Sequence, residues 1–315
     1  MTRRSWALFA AMCVIWGVPY LLIRVAVRDF SPGTLVFART GIGGLVLLPF
    51  AFRSGGFGPV LRRWPWLLAF TVIEVGIPWL LLSDAETTLS SSLSGLLVAA
   101  VPLVGVLVAR VAGSDDRGGG WPRYAGLLLG VVGVAVLLGL DVGQAHAWPL
   151  AEMAVVVVGY AVAPVIMARR LADLPSIPVV AAALLICALG YLPYGVTHWP
   201  ADMTAKVAWS VVGLGVLCTA LAFILFFALI AAIGPARATV ITYVNPAVAV
   251  LLGVLLLGEP FTAGIAIGFP LILVGSVLAA RHRTVAVPEP AIEAAVSARS
   301  AACSTDTSSK LVPGT

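Results

Sequence analysis

Two charged residues interrupt long apolar runs of the chain, Arg39 in FART and Glu74 in TVIEVG. A charge surrounded by hydrocarbon costs at least about 2.5–3.5 kcal/mol on insertion scales, so its presence favours a functional role. Glu74 is expected either to carry a proton, because loss of water favours the neutral carboxyl, or to bind an amine. Arg39 would then bind a carboxylate or tune Glu74. The alternative is a static ion pair, which adds little net stability because desolvation offsets the attraction.

A polar stripe is predicted near residue 240. Thr239, Thr242, Tyr243 and Pro246 recur at i, i+3, i+4 and i+7, and Asn245 is adjacent. This spacing places the four on one face of a helix. Polar groups at membrane depth are expected to face protein or a water-filled cavity, so we predict that this face lines a pathway. The alternative is a packing seam with proline kinks.

Two aromatic residues, Trp16 and Tyr160, lie in the middle of apolar runs. Aromatic residues of membrane proteins concentrate at the two interfaces, so residues in the middle of a span favour a cavity wall that stacks on a ring-bearing or hydrophobic solute. Simple packing is the alternative.

Pro78 and Trp79 follow Glu74 by one helical turn. In a regular helix Thr71, Glu74 and Pro78 share one face and would line a cavity together. Trp79 is instead expected in the external aromatic belt. Proline removes a backbone hydrogen bond, so three prolines are predicted helix hinges: Pro78, Pro102 and Pro246.

The composition requires a lipid environment. The 315 residues are 61% hydrophobic and 10% charged, whereas soluble domains are about 25% charged. Three of the four cysteines lie in apolar runs, and no Cys/His cluster, P-loop or catalytic triad is present. We therefore expect no enzyme activity, cofactor, metal site or nucleic-acid partner.

Ten apolar runs of about the length of a membrane-spanning helix follow one another, which predicts an all-α membrane protein. The predicted runs are 6–27, 31–52, 64–83, 90–110, 122–140, 148–168, 178–197, 208–231, 236–257 and 261–280. With the N-terminus in the cytoplasm, 15 of the 19 Lys and Arg residues lie inside and 3 outside, as the positive-inside rule requires. Residues 281–315 are polar and are expected to form a disordered cytoplasmic tail.

An internal repeat with a lag of 144 residues relates the two halves. Pro102 matches Pro246, and Pro49 matches Pro193. The predicted units are therefore 1–145 and 146–280, each with five helices. Because five is odd, the second unit enters the membrane from the opposite side, which is an arrangement that recurs in secondary transporters. At this lag Glu74 would correspond to Cys218, so the carboxylate is not imposed by the repeat.

These segments resemble a known family. The WG of Trp16–Gly17, the FAR of Phe37–Arg39 and the segment LLLSDAETTLSSSLSGLLVAAVPLVGVLVA are similar to the first half of an EamA-type member of the drug/metabolite transporter superfamily. The segment GPARATVITYVNPAVAVLLGVLLLGEP, which contains Gly258–Glu259, is similar to the second half. The resemblance covers about residues 5–280. It implies export or exchange of amino acids, nucleobases, drugs or related metabolites, with the fifth and tenth helices at the periphery.

The sequence therefore predicts a transporter of a small organic solute in the bilayer of the cell inner or plasma membrane, with both termini cytoplasmic and coupling to protons suggested by Glu74. A membrane-embedded enzyme would need a cluster of His and acidic residues at one face, and a sensor or scaffold would need a folded cytoplasmic domain. GxxxG pairs at Gly126/Gly130 and Gly264/Gly268 favour packing within the chain, with a homodimer face as the alternative.

Overall fold

The structure, a computed structural model, describes residues 2–112, 120–141, 147–238 and 240–280. These residues form helices joined by short turns. Thr239 and the predicted tail 281–315 lie outside the described residues, so the predictions about them stay predictions.

Ten apolar helices account for most of the described residues. They are α1 (Arg3–Ala26), α2 (Pro32–Arg53), α3 (Trp64–Thr88), α4 (Ser91–Val111), α5 (Gly120–Asp141), α6 (Ala147–Arg170), α7 (Ser176–Thr197), α8 (Ala205–Ile233), α9 (Ile241–Leu257) and α10 (Ala263–Ala280). Short helical turns lie at Gly58–Leu61 and Pro235–Ala238.

Seven of these helices, α1 to α4 and α6 to α8, are long and apolar enough to cross a membrane. Helices α5, α9 and α10 contain shorter apolar stretches, Tyr124–Leu140, Ile241–Leu257 and Ala263–Ala279. With no water in hydrocarbon to satisfy a free backbone, helices keep every interior N–H and C=O bonded within the segment. The predicted all-α membrane class is confirmed at this level.

One predicted boundary is wrong in a way that matters. The third apolar run was expected to end at residue 83, whereas α3 continues to Thr88. Asp84 and Glu86 therefore lie within the helix, and Glu86 is completely buried. The charges suggested a loop, but the folded chain covers the carboxylate of Glu86 with neighbouring helices.

Four helices are locally irregular. Helix α1 is interrupted at Trp16–Gly17, and α4 at Ala99–Ala100. Helices α3 and α8 each contain one wide π-helical segment, Thr71–Gly76 and Val216–Leu221. Single π turns inside α-helices occur frequently at functional sites.

Helices α5 and α10 pack closely through glycines. A Cβ atom on Gly133 would lie 2.9 Å from the carbonyl oxygen of Gly268, and one on Gly275 would lie 2.7 Å from that of Gly126. Only residues without side chains allow backbones to approach this closely. Gly126, Gly133, Gly268 and Gly275 therefore serve packing within the chain, which is the interpretation that the sequence favoured for Gly126 and Gly268.

Two sets of turns meet at opposite ends of the helices. At one end, Arg63 forms an ion pair of 2.6 Å with Asp173 and donates to the carbonyl oxygen of Arg170 at 2.6 Å. These contacts join the turn before α3 to the turn after α6.

At the other end, the carboxylate of Glu259, which follows α9, caps the first turn of α4. It accepts hydrogen bonds from the backbone N–H groups of Ser91 and Ser92 at 2.8 and 2.9 Å. A carboxylate at a helix N-terminus is favoured by the free N–H groups and the helix dipole. The Gly258–Glu259 motif therefore has a structural role: it ties the turn between α9 and α10 to α4.

Candidate functional site

Arg39, the eighth residue of α2, is 7% exposed. Its Nε donates to the hydroxyl of Thr219 at 3.1 Å, and its guanidinium carbon lies 3.6 Å from the ring centroid of Trp79. The ion pair formed among the described residues joins Arg63 to Asp173, so no described carboxylate lies within 4.0 Å of Arg39. A hydroxyl and an aromatic face hold this charge, and neither neutralises it.

Glycines bring Arg39 to Thr219. A Cβ atom on Gly43 of α2 would lie 2.6 Å from the methyl group of Thr219, and one on Gly215 of α8 would lie 2.6 Å from the Cβ of Ile42. The backbones of α2 and α8 therefore cross too closely for any side chain at these two positions. This crossing places the π segment of α8 directly beside the guanidinium.

Tyr160, on α6, joins the same region. It is half-buried and lies close enough to Trp79, Glu74 and Arg39 to interact with all three. Glu74, in the π segment of α3, is also half-buried and forms no ion pair with Arg39. The static pair that the sequence left open is therefore not formed, and the two charges lie in one neighbourhood without neutralising each other.

Trp79 corrects a prediction. The sequence favoured the external aromatic belt, whereas the indole is 6% exposed and lies under the Arg39 guanidinium. A cation over an indole face is stabilised by about 2 kcal/mol when both are desolvated, and this contact draws the ring inwards.

The shared face predicted for Thr71, Glu74 and Pro78 assumes a regular helix, which the π segment interrupts. The hydroxyl of Thr71 donates to the carbonyl oxygen of Leu67 at 2.8 Å, within its own helix. Pro78 packs against α6, where a Cβ on Gly159 would lie 2.8 Å from the proline ring. The π segment adds one residue to the turn, so the spacing of a regular helix no longer aligns these positions.

The polar residues of α9 contact other helices. The amide of Asn245, with its nitrogen placed as donor, bonds to the carbonyl oxygens of Ile241 at 2.9 Å and of Cys13 in α1 at 3.1 Å. The hydroxyl of Tyr243 reaches the carbonyl oxygen of Ser276 in α10 at 3.4 Å, a long bond. These contacts favour the packing seam over the pathway for Asn245 and Tyr243.

Of the remaining pathway candidates, the structure describes Thr242 and Trp16. Thr242 is half-buried, and Thr239 lies outside the described residues. Trp16 packs against Phe226 and Phe223 of α8, with ring centroids 4.6 and 6.2 Å away. This is an apolar contact between helices.

The three predicted hinges differ in their surroundings. Pro78 directly follows the π segment of α3, and Pro102 follows the break in α4. Pro246 lies inside a continuous stretch of α9. At the α4 break, the carbonyl oxygen of Ala99 accepts a hydrogen bond from the hydroxyl of Ser276 at 3.2 Å. Hinge motion at these prolines stays a prediction.

Sequence reasoning missed Thr219 and Glu86. Thr219 is the fourth residue of the second π segment, as Glu74 is of the first. The offset between them is 219 − 74 = 145, one more than the repeat lag, so the earlier comparison with Cys218 missed the match. A polar residue inside the apolar run 208–231 was the available signal. Glu86 was hidden because the predicted run ended at residue 83.

The described residues contain no group of three or more His, Cys, Asp or Glu side chains that could hold a metal ion. The groups that surround Arg39 are a hydroxyl and an aromatic face, which suit recognition by charge, hydrogen bonding and stacking.

The chain was compared with known proteins. The model of the EamA-like transporter family matches residues 4–139 and again 148–281. The uncharacterized inner membrane transporter YedA of Escherichia coli K12 is 28% identical over 265 residues, 80% of this chain and 82% of YedA. The probable terminal-alkyne amino-acid exporter of Streptantibioticus cattleyicolor is 26% identical over 282 residues, 88% of this chain and 91% of that protein.

A solved crystal structure of another protein also aligns with the chain. The TM-score is 0.64 at 24% sequence identity, and the match covers 89% of this chain and 97% of that one. This likeness shows a shared fold. The two matches to the family model together span most of the chain. Apolar helices of membrane-spanning length and relatives that are themselves transporters agree with it. The chain therefore belongs to the EamA-like transporter family and is a multipass membrane transporter.

Proposed function

We propose that the chain carries a small amino acid across the membrane, with the solute carboxylate bound at Arg39 and its amine at Glu74. The observation that carries the proposal is a buried guanidinium with no described carboxylate within 4.0 Å. Such a charge is costly at membrane depth, and a charged ligand is the partner that offsets the cost.

The geometry around Arg39 favours an anion of defined shape. A guanidinium binds a carboxylate through two parallel N–H···O bonds. Here Thr219 fixes the Nε edge and Trp79 fixes the plane. Both partners reduce the conformational freedom that binding would otherwise remove.

Glu74, which also interacts with Tyr160, supplies the opposite charge. Because Tyr160 interacts with both Arg39 and Glu74, a solute with a carboxylate and an amine would lie beside the Tyr160 ring. The aromatic faces of Tyr160 and Trp79 favour an apolar solute side chain. One relative is a probable exporter of terminal-alkyne amino acids, which supports a solute of this kind.

We further propose that all ten helices cross the membrane, as two five-helix units, 1–145 and 146–280, in inverted orientation with both termini cytoplasmic. The two matches of the family model support two units. The two π segments, offset by 145 residues, support equivalent third helices. The arginine-rich turns that meet at one end support a cytoplasmic face there.

Export or exchange follows from the family. The packing of α5 against α10 within the chain removes the glycine argument for a homodimer, so we propose that one chain suffices for transport.

The experiment that tests the proposal uses L-propargylglycine, a small amino acid with a terminal alkyne. Proteoliposomes that contain the protein and internal L-propargylglycine should exchange it with external label, while liposomes without protein should not. Competition by 4-pentynoate, which has the same chain without the amine, tests the carboxylate alone. Lack of exchange with any small apolar amino acid would overturn the proposed solute class.

A further inference from the structure

A second carboxylate is buried near the end of α3. Glu86 is 0% exposed, and neither of its carboxylate oxygens has a hydrogen-bond partner among the described residues. Buried polar groups in folded proteins are paired in the great majority of cases. A completely buried carboxylate without a partner therefore indicates a missing ligand.

The charged neighbours of Glu86 leave its carboxylate unpaired. The Arg24 guanidinium, on α1, donates to the backbone carbonyl oxygens of Glu86 and of Thr87, the second at 2.9 Å. Glu259 lies nearby, but its two oxygens are occupied by the first turn of α4. Arg24 and Glu259 therefore form their hydrogen bonds with other groups, and neither binds the Glu86 carboxylate.

Three further titratable groups face Glu86. Tyr20 approaches from α1, Arg39 from α2 and Tyr160 from α6, each close enough to interact electrostatically. The residues that begin α4 at this point are serines, which do not titrate near neutral pH. Arg39 is the important neighbour, because it is also the proposed site of the solute carboxylate.

The ligand that fits is a proton. A metal cation would require several oxygen ligands, and the second carboxylate nearby is already used as a helix cap. An ionised carboxylate with no hydrogen bond costs far more in a dry site than a protonated one. Protonation therefore resolves the unpaired group.

We propose that Glu86 binds the proton that is transported together with the solute, an inference that rests on the proposed carboxylate site at Arg39. A proton on Glu86 removes the negative charge that partly offsets Arg39, so the guanidinium attracts a solute carboxylate more strongly. By reciprocity a bound carboxylate strengthens proton binding by the same factor. Proton and solute then cross together, and the steeper of the two gradients sets the direction.

The first test follows protons and solute in the same proteoliposomes. A trapped pH dye reports the lumen while external L-propargylglycine enters down its gradient. The wild-type lumen should acidify as the solute enters. Glu86→Gln should still admit the solute, without acidification. This substitution removes no hydrogen bond from the carboxylate, so the fold should tolerate it.

Glu152→Gln is the matched control. Glu152, on α6, is 4% exposed and has one unpaired carboxylate oxygen. This variant should acidify the lumen as the wild type does. Acidification by Glu86→Gln at the wild-type rate, or solute entry without acidification in the wild type, would overturn the proton site while leaving transport intact.

A second measurement needs no solute. Infrared spectra of the membrane-embedded protein at stepped pH should contain the C=O band of a buried protonated carboxyl that disappears at high pH. The band should be lost in Glu86→Gln and kept in Glu152→Gln. If L-propargylglycine is not carried at all, the solute class fails, and this band alone decides the proton site. A band unchanged in Glu86→Gln overturns it.

Discussion

The two π-helical segments, which lie 145 residues apart in the chain, present different chemistry. In α3 the fourth residue of the segment is Glu74, half-buried and without an ion pair. In α8 the fourth residue is Thr219, completely buried and bonded to Arg39. The α3 segment carries the Glu74 carboxylate. The α8 segment holds the Arg39 guanidinium of α2 in place through Thr219.

The difference shows how a repeated scaffold becomes asymmetric. A π turn widens the helix and shifts the register of its side chains. The fourth residue of the segment therefore points in a direction that a different residue would take in a regular helix. The α8 segment packs tightly, because Gly43 and Gly215 allow close approach to α2. The segment of α3 keeps its carboxylate partly accessible. Recognition of a solute with two opposite charges requires this inequality.

The largest effect on transport is expected when the charge of Arg39 is removed. Arg39→Ala should lower kcat/KM for L-propargylglycine exchange by at least ~30-fold, because a buried charge pair with the solute contributes about 2–5 kcal/mol. The loss should extend to inhibition by 4-pentynoate. Initial exchange rates in proteoliposomes measure both.

Stability separates this role from a structural one. No described carboxylate lies within 4.0 Å of Arg39, so its removal leaves no buried anion unpaired. The thermal midpoint in detergent should fall only slightly. A drop equivalent to about 3–5 kcal/mol, the cost of a broken buried pair, would instead indicate a structural ion pair.

Glu74→Gln is expected to have the next largest effect, confined to the solute amine. Loss of a charged hydrogen bond, which contributes about 1.5–3 kcal/mol, should weaken the binding of L-propargylglycine by roughly 10- to 150-fold. Inhibition by 4-pentynoate, which has no amine, should stay within about two-fold of wild type on this account. Acidification of the lumen with solute entry should persist. If the variant bound L-propargylglycine and 4-pentynoate more weakly by the same factor, Glu74 would not bind the solute amine.

Filling the α2–α8 crossing should disturb the α8 segment alone. Gly215→Val would place atoms against Ile42, and over-packing of this kind costs about 1–3 kcal/mol. Gly105, on α4, has open space around it, and Gly105→Val is the control. Thermal unfolding in detergent should separate the two variants. Equal unfolding midpoints of the two variants would mean that the α2–α8 crossing has room for a valine side chain at position 215.

The smallest effect is expected from Thr219→Val. It removes the acceptor of the Arg39 Nε but leaves the guanidinium charge in place, so we expect the loss of about 0.5–1.5 kcal/mol that is typical of an intramolecular hydrogen bond. Exchange should slow by roughly two- to ten-fold for amino acid and 4-pentynoate alike. Thr71→Val is the matched control, since that hydroxyl bonds within its own helix at the start of the other segment. A greater effect of Thr71→Val would reverse the comparison.

Topology can be checked independently. Reporter fusions after Lys206 should read external, and fusions after Ala280 internal. An external C-terminal reporter would contradict the proposed ten crossings and, with them, the equivalence of α3 and α8.

The sequence alone determined the class of the molecule. Long apolar runs and scarce charges follow directly from the cost of placing polar groups in hydrocarbon, and they predicted helices close to those observed. Charge was also sufficient to select Arg39 and Glu74, because an ionisable residue inside an apolar run is conspicuous without any structure.

Tertiary structure decided which residues meet. Trp79 lies beneath Arg39, Asn245 bonds to α1, and Glu86 is covered by helices distant in sequence. Each outcome depends on helix crossings and on two π turns that change the side-chain register. A one-dimensional pattern assumes a regular period, so it cannot show that Glu74 and Thr219 are each the fourth residue of a π segment.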